Sequence, residues 1–126
     1  MFKYNITTGQ MLNPDSTELA IGYSGGNCGK NPEGKNNPDM QNVKNIGPIP
    51  CGDYTIFKPA FADPVKGPLC MRLIPEVGNN MFNRGGFMIH GDTNPAGNAS
   101  EGCIVLPHNA RLIIANSNDN DLQVIK

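Results

Sequence analysis

His90 and Cys103 are the two side chains of this chain best suited to act together chemically. The histidine closes the apolar run Phe87-Met88-Ile89, and the cysteine opens the run Ile104-Val105-Leu106. Between them lies a connector of Gly, Asp, Thr, Asn, Pro, Ala, Ser and Glu. Two short strands joined this way bring an imidazole and a thiol to neighbouring strand ends. Only the thiolate of a cysteine attacks carbonyls, so the thiol needs a base or a cation beside it. Imidazole titrates near neutral pH and can take that proton and return it.

Each residue alone has an ordinary explanation, Cys as a small core side chain and His as a structural one. Their surroundings favour chemistry. Gly102, directly before Cys103, permits a tight backbone whose N–H groups face a ligand. Ser100 and Glu101 before the cysteine, and Gly91 and Asp92 after the histidine, make both approaches polar. On a continuing strand Asp92 shares a face with His90 and can orient the ring; equally, Asp after Gly is a turn residue. Ser100 either hydrogen-bonds near His90 or shapes the loop.

Such a pair needs strands to position it. Phe2 to Leu12 alternates around Thr8-Gly9-Gln10 as a hairpin, and Thr17 to Tyr23 is a further strand. Residues 24 to 50 are almost free of apolar side chains, either a functional excursion or a solvated one. Strands follow at Asp53–Phe57, Leu69–Ile74, Phe87–His90, after Cys103, and at Leu122–Ile125. Pro107 suits the first turn of a helix with Ala110, Ile113 and Ile114 as its apolar side. Six to eight short strands with one or two short helices predict a mostly β domain of sandwich or barrel type.

The length of 126 residues suits one domain, 1–126. Trp is absent and aromatics are few, which predicts a thin, aliphatic core. The net charge of −1 with interspersed signs gives no footprint for nucleic acid or an anionic membrane. No run approaches a membrane span, and the N-terminus lacks the apolar segment of a signal peptide. The expectation is synthesis in the cytoplasm, with any work outside reached by another route. Cys28, Cys51, Cys70 and Cys103 allow two disulfides, but no C-x-x-C pair suggests zinc. The first three read as buried or half-buried thiols, with room for one pair oxidised after export.

The ordered motifs cover nearly the whole chain. They run from Tyr4 and Thr8-Gly9-Gln10 through Gly22-Tyr23-Ser24-Gly25, Asn36-Asn37-Pro38, and Gly47-Pro48-Ile49-Pro50 with Gly52 and Tyr54. Gly67-Pro68, Gly86-Phe87-Met88-Ile89-His90-Gly91-Asp92, Ser100-Glu101-Gly102-Cys103-Ile104 and Arg111 complete the set. The chain thus resembles the small L,D-transpeptidase-like toxins delivered by bacterial type VI secretion. It departs from housekeeping L,D-transpeptidases at Glu101, where those carry a second histidine, and in its shorter His-to-Cys interval.

The resemblance implies a domain of L,D-transpeptidase type and peptidoglycan stem peptides as substrate. It implies Cys103 as nucleophile, His90 as base, and N–H groups of Gly102 and Cys103 as oxyanion donors. Asp92 and Ser100 are supporting catalytic candidates. Tyr23, Ser24 and Arg111 are candidates for substrate binding; the planar fork of Arg111 suits a carboxylate, and its alternative is a brace for the Cys103 loop. No cofactor or metal is implied. The implied partners are a cognate immunity protein and a secretion-system component, and the implied site of action is the periplasm of a target cell.

Three rivals stand beside this reading. A papain-like wall amidase places its cysteine before its histidine, the reverse of the order here. A metal site from His90, Asp92, Cys103 and His108 has acceptable ligand types without a recognisable spacing. A non-catalytic β-sandwich wall-binding module would make Cys103 structural.

Overall fold

The computed structural model describes Met1–Lys126. Ten strands form one sheet: β1 Phe2–Asn5, β2 Gln10–Leu12, β3 Glu18–Ile21, β4 Tyr23–Ser24, β5 Gly52–Ile56, β6 Phe61–Asp63, β7 Gly67–Pro75, β8 Met88–His90, β9 Ile104–Val105 and β10 Asp121–Ile125. Their spatial order is β3-β2-β1-β10-β5-β7-β8-β9-β4, with β6 paired to β7. Because β3 and β4 are consecutive in the chain, one segment supplies both edges and the sheet nearly closes into a barrel. Gly22 makes this hand-over and donates its N–H to Gly9 O at 2.7 Å. A Cβ on Gly22 would lie 2.0 Å from Val105 O, and one on Gly9 2.0 Å from Gly22 O, so the closure requires glycine on both sides.

Alternation along the strands fills the interior with Phe2 and Tyr4, Tyr54 and Ile56, Met71 and Leu73, Ile89, Ile104, and Leu122 and Val124. Phe2, Tyr4 and Tyr54 are among the largest fully buried side chains, so the core is partly aromatic rather than purely aliphatic. The N-terminal hairpin is integral to the sheet, since β1 pairs in parallel with β10 as well as antiparallel with β2.

The mostly β barrel matches the sequence expectation, with more strands than counted. β4 and β9 have two residues each, and β6 lies in a Pro- and Asp-containing stretch that carries no alternation. The single α-helix, α1 His108–Asn116, begins one residue after Pro107, which is its N-cap. Its buried residues are Ala110, Arg111 and Ile114, which leaves Ile113 about half exposed, at 51 %. Spacing explains that outcome, because positions 110, 111 and 114 share a helix face and 113 falls beside it. Residues 25 to 51 contain no strand; three single 3-10 turns, Asn27–Gly29, Pro32–Gly34 and Pro38–Met40, fold them into a cover.

Candidate active site

Barrel strands usually bury only one face, but β8 (Met88, Ile89, His90) is buried throughout, and so are Cys70 and Met71 of β7 and all of β9 and β4. Here the outer face is covered as well. His90 lies on it, since Ile89 points into the core. β8 and β9 run parallel with Ile89 beside Ile104 and His90 beside Val105. One step back along that register sets Cys103 beside Met88, making it the diagonal neighbour of His90 on the same face. Diagonal neighbours lie roughly 7 Å apart between backbones, within reach of long side chains. The register thus sets the two residues on adjacent parallel strands and on one face of the sheet.

His90 is fully buried. Its Nδ1 lies 2.7 Å from Gly91 O, and a carbonyl only accepts, so Nδ1 carries the proton. Nε2 is then a bare lone pair, and it has no hydrogen-bond partner. Burial holds the ring below its ordinary pKa, with the Gly91 bond partly opposing, so the imidazole is neutral at pH 7. Gly91 O, and not Asp92, orients the ring. Asp92 instead accepts from Tyr23 Oη at 2.6 Å and from the N–H groups of Thr93 and Gly97. Thus Asp92 is a turn residue that closes the 91–103 loop.

Cys103 is a half-buried free thiol, as are Cys28 and Cys51, while Cys70 is a buried one. Its Sγ contacts Gly86 O at 3.9 Å rather than His90. Burial pushes this thiol up from its ordinary pKa; a bond from the Met88 backbone and the Lys66 ammonium pull the other way without prevailing. The resting pair is therefore a neutral thiol and a neutral imidazole, not an ion pair.

Ser100 shapes the loop and does not serve His90. Its buried Oγ accepts the N–H of Gly25 at 2.9 Å and of Gly102 at 3.0 Å, and donates to Cys103 O at 2.6 Å. The Gly102 N–H is thereby occupied and is not free for an oxyanion, which corrects the expectation for that residue. The N–H of Cys103 itself has no acceptor within the protein. Gly102 serves through its backbone, with φ +145° and a Cβ position only 2.6 Å from Arg84 Nη2.

The hydroxyls of Tyr23 and Ser24 are both engaged within the protein, and Tyr23 also lines a second cavity with Asp92 and Arg111. Tyr23 Oη also accepts Ala99 N–H at 2.9 Å, and Ser24 Oγ donates to Gly102 O at 2.7 Å while accepting Ile49 N–H at 2.8 Å. Both tie the cover to the 91–103 loop. Arg111, 7 % exposed, donates to the carbonyls of Leu106, Pro68 and Leu69. It braces these carbonyls through Nε and Nη1, which leaves Nη2 without a hydrogen-bond partner beside a second cavity.

Sequence reasoning passed over several residues around the thiol. Cys103 opens onto a cavity of about 220 Å³ shared with Lys44, Lys66, Arg84, Phe87 and Glu101. Arg84 donates to the carbonyls of Gln41, Pro48, Gly47 and Glu101 and lies over the Phe87 ring, so it pins the cover against the Cys103 loop. Lys66 donates to Ala99 O at 3.2 Å from the turn between β6 and β7. Isolated basic residues in Gly- and Asn-rich turns carry no pattern by which sequence could single them out. No group of three His, Cys, Asp or Glu side chains is placed to hold a metal ion; His90, Asp92, Cys103 and His108 do not converge on one.

The mostly β, nearly closed barrel thus carries a half-buried thiol and a fully buried imidazole on adjacent strands. Residues 20–126 match the family model of the Tlde1 domain, and the chain belongs to that family of type VI secretion effectors of L,D-transpeptidase-like kind. The match starts at β3, so the β1–β2 hairpin precedes it although the barrel includes it. No curated protein matches the chain in sequence. No helix is long and apolar enough to cross a membrane.

Proposed function

We propose that this effector is a cysteine acyl-transfer enzyme that acts on peptidoglycan tetrapeptide stems in the periplasm of a target cell. It removes the fourth-position D-Ala as an L,D-carboxypeptidase, or exchanges it as an L,D-transpeptidase. The observation that carries the reading is the unpartnered Nε2 of buried His90, fixed as a lone pair by the Gly91 bond, one strand from a thiol that opens onto a cavity.

Rotation about the Cys103 side chain takes the thiol proton from Gly86 O to His90 Nε2. The sulfur then attacks the carbonyl carbon of the third stem residue, a diaminopimelate, and the carbonyl oxygen becomes an oxyanion. The Cys103 N–H is the donor left for it; one such donor is worth roughly 3 kcal/mol. Collapse breaks the C–N bond, and the imidazolium returns its proton to the leaving D-Ala nitrogen. Water or the amine of a D-amino acid attacks the thioester, giving up a proton through His90, and the sulfur leaves and is reprotonated. Neutral imidazole is the required starting form, and burial supplies it.

The test is incubation of the purified protein with a disaccharide tetrapeptide, read by product mass, with and without an added D-amino acid. Loss of one D-Ala marks hydrolysis, and a changed fourth residue marks exchange. An untouched substrate refutes the mechanism and favours a wall-binding module, and Cys103→Ala protein that still acts refutes the thiol as nucleophile. A cognate immunity protein and a secretion component belong to the same proposal, tested by co-purification from the producing cell.

A further inference from the structure

We propose that the cavity at Cys103 is a carboxylate subsite in which Lys66, with Lys44 at its rim, holds the free C-terminal carboxylate of the residue to be released. The lining carries three cations, Lys44, Lys66 and Arg84, against one carboxylate, Glu101, in a chain whose net charge is −1. None of these cations forms a salt bridge, although Asp63, which accepts the Lys66 backbone N–H at 2.8 Å, lies within electrostatic reach of the Lys66 ammonium. The single salt bridge of the chain joins the N-terminal ammonium to Asp119. Glu101 meets the Cys28 thiol at 3.7 Å instead of a lysine. Arg84 has committed both Nη groups to carbonyls, so it contributes mainly field, with only its Nε–H uncommitted. Lys66 uses one of its three donors on Ala99 O and is half-buried, which leaves two donors in a partly desolvated position. Its ammonium is also close enough to act on both Cys103 and His90.

Size agrees with a terminal residue. About 220 Å³ is less than a pocket for a whole ligand, which runs from roughly 300 Å³ upward, and accommodates an amino acid or two. The carboxylate of a C-terminal residue lies roughly 4 Å beyond the attacked carbonyl carbon, so one small cavity can receive both. The consequence is exo-specificity. A stem that ends in a free acid at the released residue is accepted, and one that is amidated or extended there is refused.

The substrate side of this inference rests on the acyl-transfer reading, whereas anion binding beside the sulfur does not. The experiment separates the two. Cys103 is alkylated with iodoacetate and, separately, with neutral iodoacetamide, and the modified site is followed by peptide mass mapping. The ratio of the two rates cancels the thiolate fraction. Relative to free cysteine, the ratio should be raised about fivefold or more. It should fall by a similar factor in Lys66→Gln, return in Lys66→Arg, and fall less in Lys44→Gln, which lies on an exposed turn. A ratio equal to that of free cysteine and unmoved by Lys66→Gln and Lys44→Gln overturns the subsite. In a second arm, a tetrapeptide is compared with its C-terminal amide. Cleavage of the acid alone supports the proposal, and equal cleavage of both overturns it. If neither is cleaved the acyl-transfer reading fails, and the alkylation ratio still decides the subsite.

Discussion

Replacing Ser100 by Ala tests whether the loop before Cys103 is built as described. The hydroxyl satisfies two N–H groups, of Gly25 and Gly102, and one carbonyl, of Cys103, and the side chain is only 1 % exposed. Ala leaves all three polar groups without their side-chain partner at a buried position. At about 1 kcal/mol for each group after relaxation, the loss is about 3 kcal/mol of folding stability. For a domain of this size that lowers the thermal midpoint by roughly 10 °C. Urea denaturation followed by circular dichroism measures it, alongside the rate of Cys103 alkylation, which should rise as the loop loosens. Ser24→Ala removes only two bonds, one of them to Gly102 O, so it should cost less. Both serines grip the same glycine, so the double variant should be less destabilised than the sum of the two. A Ser100→Ala protein that keeps its full stability but loses turnover would refute this account and return Ser100 to the chemistry.

Other perturbations follow the same logic. Arg111→Lys should cost about 2 kcal/mol, because one ammonium cannot reach the carbonyls of Leu106, Pro68 and Leu69 together; chemical denaturation checks the loss, and an unchanged substrate KM checks that Arg111 is a brace. Tyr4→Phe should be neutral or stabilising by up to about 1 kcal/mol, since the buried hydroxyl has no partner; a fall in the urea midpoint would show that Tyr4 has one. Gly102→Ala should lose more than about 2 kcal/mol and the activity with it, as its φ is +145° and the added carbon meets Arg84. The pKa of His90 is depressed in the folded protein, so below about pH 6.5 the unfolded chain takes a proton that the native one refuses. Stability from this group is complete above that pH and declines as the pH falls toward the folded value. His90→Gln should remove that part of the acid sensitivity, and the acid limb of kcat/KM should lie below pH 6.5.

The strands, including those that carry His90 and Cys103, were legible because their causes are local. Alternation marked β1, β5, β7 and β10, and the apolar runs around His90 and Cys103 marked β8 and β9. What the polar side chains of the site do was legible only as residue types. Asp92, Ser100, Ser24, Tyr23 and Arg111 all belong to the site region, yet each spends its polar atoms on backbone or on another brace. Several of their partners lie far away in sequence, as with Gly25 for Ser100 and Pro68 for Arg111, and no spacing encodes such meetings. The same distance hid Lys66 and Arg84. Only the fold brings the turn between β6 and β7 and the turn before β8 to the mouth of one cavity.

The arrangement also explains why the resting thiol need not be ionised. An ion pair of thiolate and imidazolium requires solvent or counter-charges, and on the covered face of β7, β8 and β9 His90 is fully buried and forms no salt bridge, so desolvation outweighs the pull of Asp63. Burial instead favours the neutral form of both groups, raising one pKa and lowering the other. Proton transfer is then coupled to attack on a carbonyl rather than completed in advance. A protonated thiol is also slow to oxidise or to exchange with disulfides. The measurable consequence is the pH dependence of iodoacetamide alkylation at Cys103, which should have its midpoint above the ordinary thiol value of about 8.5. His90→Gln should leave that midpoint nearly unchanged while abolishing turnover, because a neutral base contributes little to the ground state. A midpoint near pH 6 that His90→Gln moves upward would instead establish a preformed ion pair, and the neutral-pair mechanism would fall.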